Sequence, residues 1–191
     1  MKKHFFLSLL AAVSCLAMVS CGDDDNDKKD SGNELVNKVS DNQMIFNDEK
    51  FDLTVTVSVR PPANEDVGAY YVEVQSSAFV GRFDLGTPLK GVIIDLADPV
   101  KSVNENQLSF GLGGNEEFVS FFSMDVYDSK VYSQVNDVEY SESSGFSEGS
   151  LIFTHTNDEF TLTMYGTLKN NDRFALKLVV PEDEVDYWNN N

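Results

Sequence analysis

Few side chains in this chain have the type and spacing for chemistry. After His4 there is one more histidine, His155. A catalytic base needs a nucleophile and an orienting group within hydrogen-bond reach, and no local pattern sets either beside it. At the end of an apolar run and next to Thr156-Asn157-Asp158, His155 reads as a surface turn residue. One histidine and no cysteine beyond Cys21 leave no His/Cys metal spacing. Gly111-Leu112-Gly113-Gly114 lacks the lysine and helix of a phosphate loop and reads as part of a β turn. Among 32 acidic residues some pair must lie close, so paired carboxylates for glycoside hydrolysis gain no weight from abundance alone. Asp23, Asp25 and Asp27 alternate as calcium ligands do, but Lys28 stands where a calcium loop needs glycine. Asp137, Glu139, Glu142 and Glu148 read as a solvated acidic loop, and calcium binding there is left open. The expectation is no catalytic residue, no metal and no cofactor.

Aromatic residues are the other chemical resource. Tyr70, Tyr71, Tyr127, Tyr132, Tyr140 and Trp188 could include an exposed platform for sugar rings, whose apolar faces stack on aromatic ones. Core and edge packing in strands competes for the same residues. Tyr70 and Tyr71 are adjacent and must point to opposite faces of a strand, so at most one can be exposed on a given face.

Charge narrows the partners. The chain carries 14 Lys and Arg against 32 Asp and Glu, a net charge of −18. So acidic a surface excludes nucleic acid, which needs basic patches against phosphates, and it repels anionic headgroups. Both cysteines, Cys15 and Cys21, precede any foldable segment, so no disulfide staples the domain and the apolar core must carry stability.

The N-terminus is an address. Lys2 and Lys3 precede an apolar run at 5–19, too short for a spanning helix of about 20 residues. Met18-Val19-Ser20-Cys21 then resembles the lipobox of a bacterial lipoprotein signal peptide, which implies that residues 1–20 are removed and that Cys21 carries acyl chains, palmitate among them. Cys15 is a rival that would leave a shorter apolar core. Loss of Lys2 and Lys3 leaves 12 basic against 32 acidic residues, a net charge of −20. The run Asp23-Asp24-Asp25-Asn26-Asp27 is similar to the export signal of Bacteroidota surface lipoproteins, which implies an outer-membrane anchor and display at the cell surface; the periplasmic face is the alternative. Residues 21–41 are expected to be a lipidated acidic tether, since the polar part cannot bury enough to fold. About 20 residues would span roughly 25 Å on average. Leu35, Val36 and Val39 could form one helical turn or an edge strand.

The elements that must position any site are strands. Over 51–60 apolar residues alternate strictly with polar ones, the signature of a strand buried on one face. Asn47-Asp48-Glu49-Lys50 predicts a turn, with Gln43 to Phe46 as the other arm of a hairpin. Further strands are expected at 69–76, 79–85, 92–96, 108–112, 118–127 and 131–140. A three-stranded antiparallel meander is expected from 150–155, 159–168 and 173–180. No segment reads as a long helix. The expected fold is an all-β antiparallel sandwich of about 9–10 strands over 42–181, with a closed or partly open lipocalin-like barrel as the alternative. Residues 182–191 read as an acidic C-terminal tail.

Two stretches carry a family resemblance. The hairpin Met44-Ile45-Phe46-Asn47-Asp48-Glu49-Lys50-Phe51-Asp52-Leu53 and the meander running from Gly149-Ser150-Leu151-Ile152-Phe153 through Gly166-Thr167-Leu168-Lys169-Asn170 to Leu178 are similar to those of uncharacterised Bacteroidota surface lipoproteins. Those open on Y-N-G-K-x-Y-x-L and close on G-T-x-x-I … F-x-L-T … G-T-L-x-N-G. Asp48-Glu49 stands where Gly-Lys is usual there, and Asn171 where Gly is usual. The resemblance covers both ends of the domain, the middle at 77–148 only loosely, and implies fold and location but no activity.

Function is therefore expected to be non-catalytic binding by a membrane-anchored domain, with a glycan or a host or peptide component as ligand. A structural, adhesive subunit like the fimbrillin-type pilins is the alternative. Those mature by cleavage after an arginine near the first strand, and here Arg60 is followed by Pro61-Pro62, which resists such cleavage. A glycoside hydrolase ranks below both. A concave face with exposed aromatics would favour binding, a removable first strand the pilin, and two facing carboxylates in a cleft the hydrolase.

Overall fold

In the computed structural model, which describes residues 32–62, 68–103, 107–114 and 120–188, the alternating run at 51–60 is two strands and not one. β1 (Gln43–Phe46) and β2 (Glu49–Asp52) form the expected hairpin, and β3 (Thr54–Arg60) begins after a break at Leu53. The chain changes sheets there, with the Leu53 N–H donating to the Asn42 carbonyl at 2.8 Å. Both sheets face one core, so a single alternation serves both strands.

Next come β4 (Ala69–Gln75), β5 (Phe79–Gly86), the short β6 (Ile94–Asp95), β7 (Leu108–Gly114), β8 (Ser120–Tyr127), β9 (Lys130–Val135) and β10 (Val138–Ser141). β11 (Phe146–His155), β12 (Glu159–Leu168) and β13 (Arg173–Pro181) are the meander, and β14 (Asp186–Tyr187) ends the series. Two sheets result, in the order β2-β1-β13-β12-β11-β6 and β10-β9-β8-β7-β5-β4-β3-β14, neither closed into a barrel. The fold is an all-β sandwich, antiparallel throughout except where β14 runs parallel to β3. The described residues contain fourteen strands, against about 9–10 expected and the eleven segments named for them. Two expected strands each split in two, at Leu53 and at Asn136-Asp137, and β14 forms where a tail was expected. Gly111-Leu112-Gly113-Gly114 lies within β7 and not in a turn. Only Ile94 and Asp95 of the run 92–96 pair as a strand.

Turn chemistry explains the hairpins. Asn47-Asp48, Asp128-Ser129 and Asn136-Asp137 all hold positive φ at both positions, between 45° and 73°. That is the two-residue turn whose twist matches the flanking strands, and Asn and Asp tolerate it best after glycine.

Phenylalanines are the largest fully buried side chains of the core between the sheets. Phe122 on β8 stacks on Phe174 on β13 with ring centres 4.5 Å apart, and Phe110 and Phe146 pack edge-on to Phe122. At the other end Tyr70, Phe153 and Phe160 form a second aromatic group. Each buried side chain of this size stabilises the fold by about 1.5–3 kcal/mol.

The folded unit reaches back to Gly32. A single helical turn, α1 (Gly32–Leu35), and the residues after it bring Leu35 and Val39 onto Ile45 and Ala175. Ile45 and Ala175 alternate with the core residues Met44, Phe174 and Leu176, so this cluster lies on the outer face of the six-stranded sheet. Gly32 sits so close to the Gly166 backbone that a Cβ would fall 2.6 Å from its carbonyl oxygen. Among the described residues no helix is long and apolar enough to cross a membrane.

Candidate functional site

The outer face of the eight-stranded sheet holds the best candidate. Strand register places Ser58, Tyr71, Asp84, Ser109, Asp125, Tyr132 and Ser141 in one transverse row. Their neighbours along each strand (Val59, Tyr70, Val72, Phe83, Leu85, Leu108, Phe110, Met124 and Val126) point inward and are buried. The row therefore faces out, since registered partners share a face. A hollow of about 510 Å³ lies over its middle, within the range of small-ligand sites.

Small residues make its floor and aromatics its two ends. Gly86 and Ser109 line the floor, with Gly111 beside them in an adjoining hollow lined also by Glu73 and Arg82. Tyr127 and Tyr132 stand at one end, 54% and 42% exposed. Tyr71 stands at the other, with Trp188 stacked on it and the Arg60 and Arg82 guanidinium carbons 5.9 and 5.6 Å from its ring centre. Trp188 keeps an open flank, at 48% exposure. A third hollow, shared at Asp125 and Tyr132, extends the trough toward Gln134 and Glu139.

Polar groups converge on the same floor. Arg82 Nε donates to Asp84 Oδ1 at 3.0 Å, and Ser109 Oγ donates to Asp125 Oδ1. Gln107 lines the hollow, and its amide oxygen has no hydrogen-bond partner. Asp84 and Asp125 flank Ser109, two strand intervals or about 10 Å apart at the backbone. General-acid hydrolysis calls for one carboxyl in an apolar enclosure. Asp84 is instead ion-paired and 36% exposed, and Asp125 is exposed and bonded to Ser109.

Of the six aromatic candidates, Tyr71, Tyr127 and Tyr132 line this trough and Trp188 braces it. Tyr70 does not belong to a platform: it is 5% exposed and part of the core. Tyr140 is half-buried in the third hollow with the Lys169 ammonium 4.9 Å above its ring. Cys21 and the acidic run after it lie outside the described residues. Asp137, Glu142 and Glu148 take separate partners, from Gln134, Lys130 and Thr167 respectively.

His155 is not a surface turn residue. Its side chain is 10% exposed and joins a network between the sheets. Tyr70 Oη lies 3.1 Å from Nδ1, Glu182 Oε2 lies 2.5 Å from Nε2, and Tyr187 Oη donates to Glu182 Oε1 at 2.5 Å. The signal was its parity with Leu151 and Phe153, both fully buried, which puts position 155 on the inner face. The Tyr187 and His155 hydrogen bonds hold the Glu182 carboxyl below the usual carboxylate range. The Glu182 hydrogen bond in turn pushes the Tyr187 phenol up to about 12, and burial raises Tyr70. Among the described residues no Ser, Thr or Cys hydroxyl or thiol is hydrogen-bonded to His155; its partners are Tyr70, Glu182 and Tyr187.

The network fastens the C-terminal segment. After β13 the chain crosses from one sheet to the other, buries Val185, pairs Asp186 and Tyr187 with Ser58 and Val59, and donates from the Trp188 N–H to the Val59 carbonyl at 3.0 Å. Residues 182–188 thus form an ordered strap that delivers Trp188 to Tyr71. Set against family models, curated proteins and solved structures, the chain finds no match in any of the three.

Proposed function

We propose that this protein is a lipid-anchored outer-membrane lipoprotein of the Bacteroidota surface type, whose domain binds a glycan non-catalytically in the trough on the eight-stranded sheet. The observation that carries the binding site is the transverse row itself, with Asp84, Ser109 and Asp125 between Tyr71 on one side and Tyr132 on the other, under a hollow that Gly86 and Tyr127 also line. Aromatic faces stack on sugar rings, and fixed polar groups between them read hydroxyls. The anchor rests on Cys21 and its lipobox, and surface display on the acidic run that follows. Gly32 meets the domain on the face opposite the trough, which supports a site turned away from the membrane.

The pilin-like alternative loses support at the first strand. β1 is paired on both sides, with β2 and β13, and buries Met44 and Ile45. Its removal would open the core.

Protease shaving of intact cells tests the location, with wild type compared against Cys21→Ala. The expected result is an anchored, shaved wild type and a released variant. Cleavage only after lysis would move the protein to the periplasmic face and remove surface capture. A glycan array with the purified protein tests the ligand class.

A further inference from the structure

Resting on the glycan reading above, we infer that the trough takes an internal stretch of an uncharged polysaccharide lying across the strands, and not a sugar terminus or a polyanionic glycan. Direction comes from register. Tyr71 on β4 and Tyr132 on β9 sit in the same row with β5, β7 and β8 between them. Four strand intervals separate them by about 19 Å, room for roughly four hexose rings end to end. That is too wide for two walls pinching one ring, so the aromatics act as successive stations along the ligand.

The floor allows such a path. Between Tyr71 and Tyr132 the row holds only Asp84, Ser109 and Asp125, the two carboxylates bonded to Arg82 and to Ser109. Gly86 and Gly111 on either side of the row bring no side chain. The hollow continues past Tyr132 into the one lined by Gln134 and Glu139. A chain can run on beyond that end, as an internal segment requires and a terminus-capping pocket does not allow.

Charge selects among glycans. Glu73, Asp84, Asp125 and Glu139 line the three hollows, against Arg60 and Arg82. Arg82 is ion-paired to Asp84, and both guanidiniums lie at the Tyr71 ring. With a chain charge of −18 around them, uronate or sulfate groups meet net repulsion. Neutral rings meet acceptors for their hydroxyls.

The test is binding of the full-length protein in detergent to laminarin, xyloglucan, galactomannan, chitin oligosaccharides, heparin and polygalacturonate, then calorimetry with a length series of whichever binds. The expected result is an uncharged ligand whose affinity rises about ten-fold or more from dimer to tetramer or hexamer. Tyr132→Ala and Gly111→Gln should each lower it by a similar factor at unchanged melting temperature. Gly111 suits this purpose because a Cβ there meets Ser123 Cβ at 3.5 Å and the Phe122 carbonyl oxygen at 3.9 Å, both ordinary contacts. Equal affinity for dimer and hexamer, or salt-sensitive binding of heparin or polygalacturonate, would overturn this inference and leave the glycan reading standing. Binding to none of the panel would overturn both.

Discussion

Trp188 lies flat against Tyr71, with ring centres 5.2 Å apart and planes 9° from parallel. It is the only tryptophan in the chain, so its emission reports directly on one wall of the trough. A saccharide settling at Tyr71 should change that emission, and Trp188→Phe should bind with silent fluorescence. A saturable change in wild type that tracks calorimetric binding checks this; binding with no change would separate Trp188 from the site.

The strap that carries Trp188 should respond to pH at both extremes. Glu182 is held below its ordinary value of 4.5, first by Tyr187 and then by His155. Its contribution is complete above the ordinary value and is lost as pH falls through the lowered one. Tyr187 is raised from 10.0 to about 12. Its contribution is complete below 10 and is lost as pH rises through about 12. Trp188 emission should therefore change on an acid limb set by Glu182 and on an alkaline limb set by Tyr187. Glu182→Gln should abolish the acid limb, and an unchanged acid limb would assign it to another carboxyl.

The ring stack across the sheets should dominate stability. Phe122 and Phe174 are fully buried, 4.5 Å apart, one from each sheet. Phe122→Ala should cost about 3–5 kcal/mol through lost burial and a residual cavity. Urea unfolding measures it, and a loss under about 1 kcal/mol would mean that the sheets close over the gap.

Two turn positions should answer oppositely to glycine. Asn171 has φ 69° and Asp48 has φ 73°, a region that costs L-residues energy. Asn171→Gly should stabilise by roughly 0.5–1 kcal/mol. Asp48→Gly gains the same relief but removes the acceptor of buried Arg173, whose Nη2 donates to Asp48 Oδ2 at 3.0 Å while Nε and Nη1 have no partner. The net effect should be a loss of about 1 kcal/mol, limited by the exposure of Asp48. Thermal melts of the two variants decide the sign.

Much of the fold was legible because hairpin chemistry is local. Asn47-Asp48 marks its turn by residue type, and the meander from Ser150 to Val180 by alternation and link composition. Asp48 and Asn171 follow the same rule, since both hold positive φ with a tolerant side chain. The sheet change at Leu53 was hidden, because both strands present the same parity to one core. The trough was hidden for a different reason: Tyr71 and Tyr132 meet in one row only through the register of five strands. His155 was misread as a turn residue because its partners Tyr70 and Glu182 stand 85 and 27 positions away.

The docking of α1 behind the six-stranded sheet has a mechanical side. Gly32 sits at one broad face, and a ligand in the trough would hold the other. Drag on a cell held by such a ligand would enter at one face and exit at the other, normal to both sheets. The pull would fall first on the contacts of Leu35 and Val39 with Ile45 and Ala175, which stand between Gly32 and the hydrogen-bond ladder of β1.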